Sequence, residues 1–181
     1  MKTMKVKLQI GEDKIIEYPK QNTFILMWNP GISSYTMERF ENDLVEMVEF
    51  GPVEDLDWNL RDWEQAGEGD RFFMVRVGEG TTGIVMSGCF STEPYEGEDW
   101  SGKGRQLHYM GLEIESMIHP ERSPIITPEQ LAAAIPGFDW TGGPSGRILD
   151  AASAEKLEQL WKEYLDNNRD IFEPRASVYF D

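Results

Sequence analysis

The stretch whose spacing most resembles a cofactor motif is Gly78-Glu79-Gly80-Thr81-Thr82-Gly83, a literal G-x-G-x-x-G. In a dinucleotide site such a loop leads from a strand into a helix, whose first N–H groups meet the pyrophosphate. Here it opens onto Ile84-Val85-Met86, which reads as a strand. The glycines are therefore expected to turn a hairpin at positive φ. The two histidines, His108 and His119, lie eleven positions apart with no other His or Cys at ligand spacing. No metal site is expected, and both read as structural or surface side chains. Cys89 is the single cysteine, so an internal disulfide and any multi-cysteine cluster are excluded. Inside an apolar run, it reads as a small buried hydrophobe. No serine stands in a G-x-S-x-G elbow, and both the zinc-deaminase signature and the lysine-bearing P-loop are missing. Carboxylates are too numerous for spacing alone to nominate a general acid and base. With no catalytic constellation in view, neither an enzyme nor a cofactor is expected.

Aromatic residues in loops are the more distinctive feature. Trp58 and Trp63 flank Asn59-Leu60-Arg61-Asp62, Tyr95 and Trp100 flank Glu96-Gly97-Glu98-Asp99, and Trp140 precedes Thr141-Gly142-Gly143-Pro144-Ser145-Gly146-Arg147. Loop tryptophans often cover the edge of a core. Several converging on one pocket would instead stack on a planar ligand, each contact worth about 1–3 kcal/mol if that ligand is a base.

Charge bounds the partners. The chain has 181 residues, 33 acids against 17 bases, and a formal net charge of −16. Acidity of this order disfavours a general phosphate-backbone binder, which works through clustered Lys and Arg. The distribution is uneven: residues 1–20 hold five lysines against three acids, whereas residues 41–70 hold eleven acids and only Arg61. That block reads first as a solvated face and, more sharply, as a surface for a protein partner. A content of 40% hydrophobic and 12% aromatic residues requires a core and argues against disorder. No apolar run approaches a membrane span, and residues 1–20 lack the continuous apolar segment of a secretory signal, so a cytoplasmic protein is expected.

The elements that must position these residues follow from periodicity. Residues 4–10 alternate and, with residues 15–18, read as a small hairpin. Residues 24–28 form a near-continuous apolar run, expected as a central strand ending at Asn29-Pro30-Gly31. Met37, Phe40, Leu44, Met47 and Val48 recur at helical spacing behind Ser33, Ser34 and Thr36 as candidate caps. Strands are expected over residues 71–77, 83–90 and 106–118, and a short one over 177–180. Thr127-Pro128-Glu129-Gln130 is a capping box with proline at the first helical position. Leu157, Leu160, Trp161, Tyr164 and Leu165 form a core-facing stripe on a last helix capped by Asp150 or Ser153. The sum is an α+β protein of about six strands and three helices, its strands joined by short turns, which favours an antiparallel sheet or small barrel.

Several of these segments, in this order, resemble the PUA-like, EVE-type domains found beside HNH nuclease domains in modification-dependent restriction enzymes. The matching stretches are Trp28-Asn29-Pro30, Gly69-Asp70-Arg71-Phe72-Phe73, and Gly83-Ile84-Val85-Met86-Ser87-Gly88 running on to Ser91, Pro94-Tyr95 and Trp100. Trp140, Ser145-Gly146-Arg147 and the C-terminal amphipathic helix complete the set. The resemblance covers residues 23–165, leaving an N-terminal hairpin extension over 1–22 and a tail over 166–181. It implies a small twisted, mainly antiparallel β-barrel flanked by about three helices, with a pocket at one end that reads nucleic acid, often through an extruded modified base. Trp28 and Trp58 are then implied as pocket walls, with Asn29 beside them. Ser87, Gly88, Ser91 and Tyr95 are implied at the rim and Trp100 near the mouth, with Trp140 a further ligand-binding residue. Lys103, Arg105, Ser145 and Arg147 are implied as phosphate contacts. No nuclease domain accompanies these segments, so cleavage is not expected.

The leading expectation is thus a non-catalytic module that binds a modified nucleobase, or a related planar ligand, in an aromatic pocket. The alternatives are an acidic protein-interaction module, in the extreme a DNA mimic acting through residues 41–70, and a small-molecule enzyme using the same pocket.

Overall fold

The computed structural model describes residues 3–6, 16–19 and 21–172. Strands β1 (Thr3–Val6) and β2 (Ile16–Pro19) pair antiparallel in a two-stranded sheet of their own. Leu8 and Ile10 of the expected hairpin, and the expected strand over 177–180, lie outside the described residues.

The main sheet is built on β3 (Thr23–Trp28), every residue of which is buried. It runs parallel to β5 (Arg71–Arg76) on one side and antiparallel to β9 (Arg147–Ile148) on the other. Beyond β5 come β6 (Gly83–Phe90), β8 (Leu107–Met117) and β4 (Val53–Asn59), all antiparallel, with β7 (Tyr95–Gly97) added to the first residues of β8. An unbroken apolar run such as Phe24-Ile25-Leu26-Met27-Trp28 fits a strand covered on both faces. Helix α1 (Met37–Phe50) covers one face, where Phe40 stacks on Trp28 at 5.0 Å between ring centroids. Helix α3 (Ala151–Asn167) covers the other, where Trp161 meets Phe73 edge-on at 5.7 Å. Each such side chain withdrawn from water contributes about 1.5–3 kcal/mol. The remaining helices are α2 (Pro128–Ala134), entered through the expected Thr127–Gln130 capping box, and α4 (Arg169–Phe172). Asp150, rather than Ser153, caps α3 by accepting from the Ser153 N–H.

Two expectations need correction. The sheet is mixed, since β3 and β5 are parallel, and it is not closed into a barrel. With only two residues, β9 is too short to pair along β4. The two sheet edges instead meet at one end through the residues beside them, where the Arg61 N–H donates to Ser145 C=O and the Asp62 N–H to Gly146 C=O. Four helices, not three, accompany the sheet among the described residues, besides a 3-10 turn at Trp63–Gln65.

The G-x-G-x-x-G segment is the β5–β6 hairpin, with Gly78, Gly80 and Gly83 at φ of 89°, 99° and 143°. Its threonines lead into β6, so the segment offers no helix N-terminus to a phosphate.

Candidate functional site

Where the sheet fails to close, a cleft of about 1030 Å³ opens between β4 on one side and the end of β3 with residues 141–145 on the other. Its aromatic lining comes from four elements. Trp58 stands on β4, Trp63 on the 3-10 turn, Tyr109 on β8, and Trp100 on the loop after β7. Tyr35 closes the inner end, edge-on to Trp58 at 6.0 Å.

Ser145 organises the junction. Its Oγ accepts from the Met27 backbone N–H and from the Trp58 indole N–H, both at 2.9 Å, so one hydroxyl ties the two sheet edges together. A hydroxyl has two lone pairs and one proton. Both acceptor positions are occupied, and among the described residues the proton has no acceptor, leaving it for the cleft that Ser145 lines.

The loop carrying Trp100 is held from within. Asp99 accepts from the Ser101 N–H at 2.9 Å, from its hydroxyl at 2.6 Å, and from Arg105 Nε at 2.8 Å. These donors, Arg105 foremost, keep the Asp99 carboxyl well below the usual carboxylate range. Trp100 itself is 43% exposed and Tyr109 accepts its backbone N–H. Opposite, the His108 ring lies flat on Trp63 at 3.6 Å and 9°, and its Nε2 is 3.6 Å from Glu96. The Tyr95 hydroxyl donates to Asp57, and burial followed by that carboxylate drives its own ionisation upward.

Of the residues singled out from the sequence, Asn29, Trp58, Trp100, Arg105 and Ser145 line this cleft. The others lie elsewhere. Trp28 fills the core, with no exposed surface and its indole N–H on Tyr35 C=O. Trp140 is likewise buried, tilted against Phe138 with its N–H on Ile135 C=O. Ser87 and Gly88 lie within β6, where a Cβ on Gly88 would stand 2.0 Å from Glu113 C=O, so glycine is required there by the approach of β8. Ser91 pairs through its N–H with Gly111 C=O. Tyr95 stacks on Tyr109 behind the cleft. Lys103 is exposed on the Trp100 loop. Arg147 turns inward, donating to the carbonyls of Pro144, Asp139 and Gly142 with its guanidinium 4.2 Å from the Phe138 ring. It holds the 139–146 loop in shape.

Sequence reasoning missed Trp63 with His108 as a stacked pair, and it missed Arg39 and Arg61, which also line the cleft. One signal was present, because Arg61 is the single base within residues 41–70. His119, by contrast, is structural: it is buried and joined to Glu41 at 2.9 Å. Cys89 is only half-buried, and burial raises its thiol above the ordinary range. As for metal ligands, Asp43, Glu46 and Asp55 bring one oxygen each within 4.8 Å of one another. Burial raises Asp43, which accepts the Tyr35 hydroxyl at 2.6 Å.

No protein-family model matches the chain, and no curated protein does. Among solved structures it is similar to a protein from Leishmania major, at 9% identity and a TM-score of 0.53, over 80% of this chain and 97% of that one. At so low an identity the likeness is one of fold. Weaker likenesses are to an ASCH protein from Zymomonas mobilis, at 11% identity and a TM-score of 0.48 over 76% of this chain and 94% of that one. Another is to the YTH domain of Zygosaccharomyces rouxii MRB1 in complex with N6-methyladenosine RNA, at 11% and 0.38 over 78% and 87%.

Proposed function

We propose that the chain is a non-catalytic binding module whose cleft holds a nucleobase, modified or plain, or a related planar ligand. The observation that carries this reading is the convergence of Trp58, Trp63, Trp100 and Tyr109 from four separate elements on one cleft of about 1030 Å³. The volume is at the upper end for a small-molecule site and leaves room for a sugar beside a base. Donors point the same way. The unused proton of Ser145 meets an acceptor such as a base carbonyl or ring nitrogen, and a guanidinium meets a phosphate. The resemblance to PUA-like domains supports the same reading. Arg105 and Ser145 remain candidates for backbone contact, and Lys103 lies close by on the same loop; Arg147 would act by shaping the loop.

Fluorescence titration with oligonucleotides carrying modified and unmodified bases, at low salt, tests this. Saturable binding is expected. Trp100→Ala, which removes an exposed ring, should weaken it by roughly 5- to 150-fold, the size of one lost base stack, with the far-ultraviolet circular dichroism unchanged. Trp58→Ala should weaken it at least as much. Absence of binding across the panel would end the proposal.

A further inference from the structure

Arginines in this chain rarely go without a carboxylate. Among the described residues Arg71 is held by Glu115 and Glu158, Arg76 by Glu121, Arg105 by Asp99, Arg122 by Glu41 and Arg169 by Asp166. Arg147 uses its guanidinium on three carbonyls. Two remain: the side chains of Arg39 and Arg61 have no carboxylate within 4 Å and no hydrogen-bond acceptor among the described residues, and both line the cleft. Arg39 lies 5.3 Å from the Tyr35 ring centroid, and Arg61 is fixed through its backbone N–H on Ser145 C=O.

With 33 acids in the chain, two uncommitted guanidinium groups in one cleft are the exception that needs a reason. Arg105 is already paired with Asp99, so Arg39 and Arg61 stand against Asp55 and Asp57 and the lining balances to zero in a chain of net −16. In an otherwise acidic chain, the cleft is thus where an anion meets guanidinium groups that no carboxylate holds. A duplex carries a negative charge every 1.7 Å or so along its axis, and most of its length would face the acidic remainder of the chain.

Resting on the nucleobase reading above, we infer that the cleft takes one nucleotide at a time, free or at the end of a strand. Its phosphate is held by Arg39 and Arg61, and an acceptor on its base by the hydroxyl of Ser145. A guanidinium matches phosphate in planar, charge-assisted hydrogen bonds that a neutral nucleoside does not make.

The experiment compares, on the full chain, the four ribonucleosides, their 5′-monophosphates, a 5′-phosphorylated single-stranded decamer and a 20-base-pair duplex, by calorimetric titration at 20 and 200 mM salt. For at least one base, the monophosphate should bind at least 10-fold tighter than its nucleoside. The decamer should bind no tighter than about twofold relative to the monophosphate, and the duplex more weakly. In Arg39→Gln/Arg61→Gln the phosphate preference should fall to near unity, with nucleoside affinity kept, which shows that the fold and the base contacts survive. Equal binding of nucleoside and monophosphate by the unaltered protein, or a duplex that binds tighter than the monophosphate, would overturn the inference while leaving the nucleobase reading in place. Failure of every nucleoside and nucleotide to bind would overturn the inference, and failure of the modified oligonucleotides as well would overturn the nucleobase reading with it.

Discussion

At the scale of residues, Ser145 carries more than its size suggests. One hydroxyl accepts from a backbone N–H of β3 and from the indole of β4, and neither donor has another partner among the described residues. Ser145→Ala leaves both donors unsatisfied in a half-buried place, at a cost of about 1–3 kcal/mol read as a lower urea midpoint. Ser145→Thr keeps the hydroxyl and should recover most of that loss. The residue was named from the sequence as a phosphate donor, and its two hydrogen bonds could not have been read there. They depend on strands 118 and 87 positions away coming to the same point. Trp28 illustrates the converse. Spacing places it in a strand but does not say which face is covered, and Phe40 of α1 stacks over it.

At the scale of elements, the junction of the two sheet edges rests on Gly146. Its φ is 82°, and a Cβ there would stand 2.4 Å from the Leu60 Cα. Gly146→Ala should therefore cost about 2–4 kcal/mol, from left-handed strain together with overpacking, and chemical denaturation with an unchanged m-value would register it. The elements legible in the sequence were those with clean periods: α1, β5, β6, β8, the capping box of α2 and the stripe of α3. Strand β4 was not legible, although it forms a wall of the cleft. Val53, Leu56 and Trp58 face inward, but the register slips between Val53 and Leu56, so the alternation of two breaks, and three acids fill the places between. Strand β9, with two residues, is too short for any pattern to register. These are the two edges of the sheet, and the cleft opens beside them, which is why the cleft's tryptophans were visible as loop residues but not as one site. On α1 the stripe was read one position too widely, since Val48 is 73% exposed.

At the scale of the whole molecule, one sign of charge dominates. A net charge of −16 over 181 residues makes the folded chain repel itself, and salt relieves this because the Debye length shrinks from about 30 Å at 0.01 M to about 8 Å at 0.15 M. The melting temperature should thus rise by about 2–5 °C between 10 and 150 mM sodium chloride, seen by calorimetry. A flat or falling melting temperature would mean that the surface acids are already compensated by local pairs. Repulsion also bears on α1, where Val45, Val48 and Phe50 are exposed among glutamates. Repulsion between the acids there opposes association of two copies through these apolar side chains.

The meeting of residues 61–62 with 145–146 has a kinetic consequence. In the main sheet β5 with β6 and β7 with β8 join strands adjacent in sequence, and such contacts close small loops. The edge junction closes a loop of more than eighty residues for two backbone bonds and one hydroxyl, so entropy favours its forming after the sheet and its opening first. The cleft then exists only in the last stage of folding. Whatever occupies it acts on the far side of the transition state, holding the assembled chain together for longer while leaving the speed of assembly as it was.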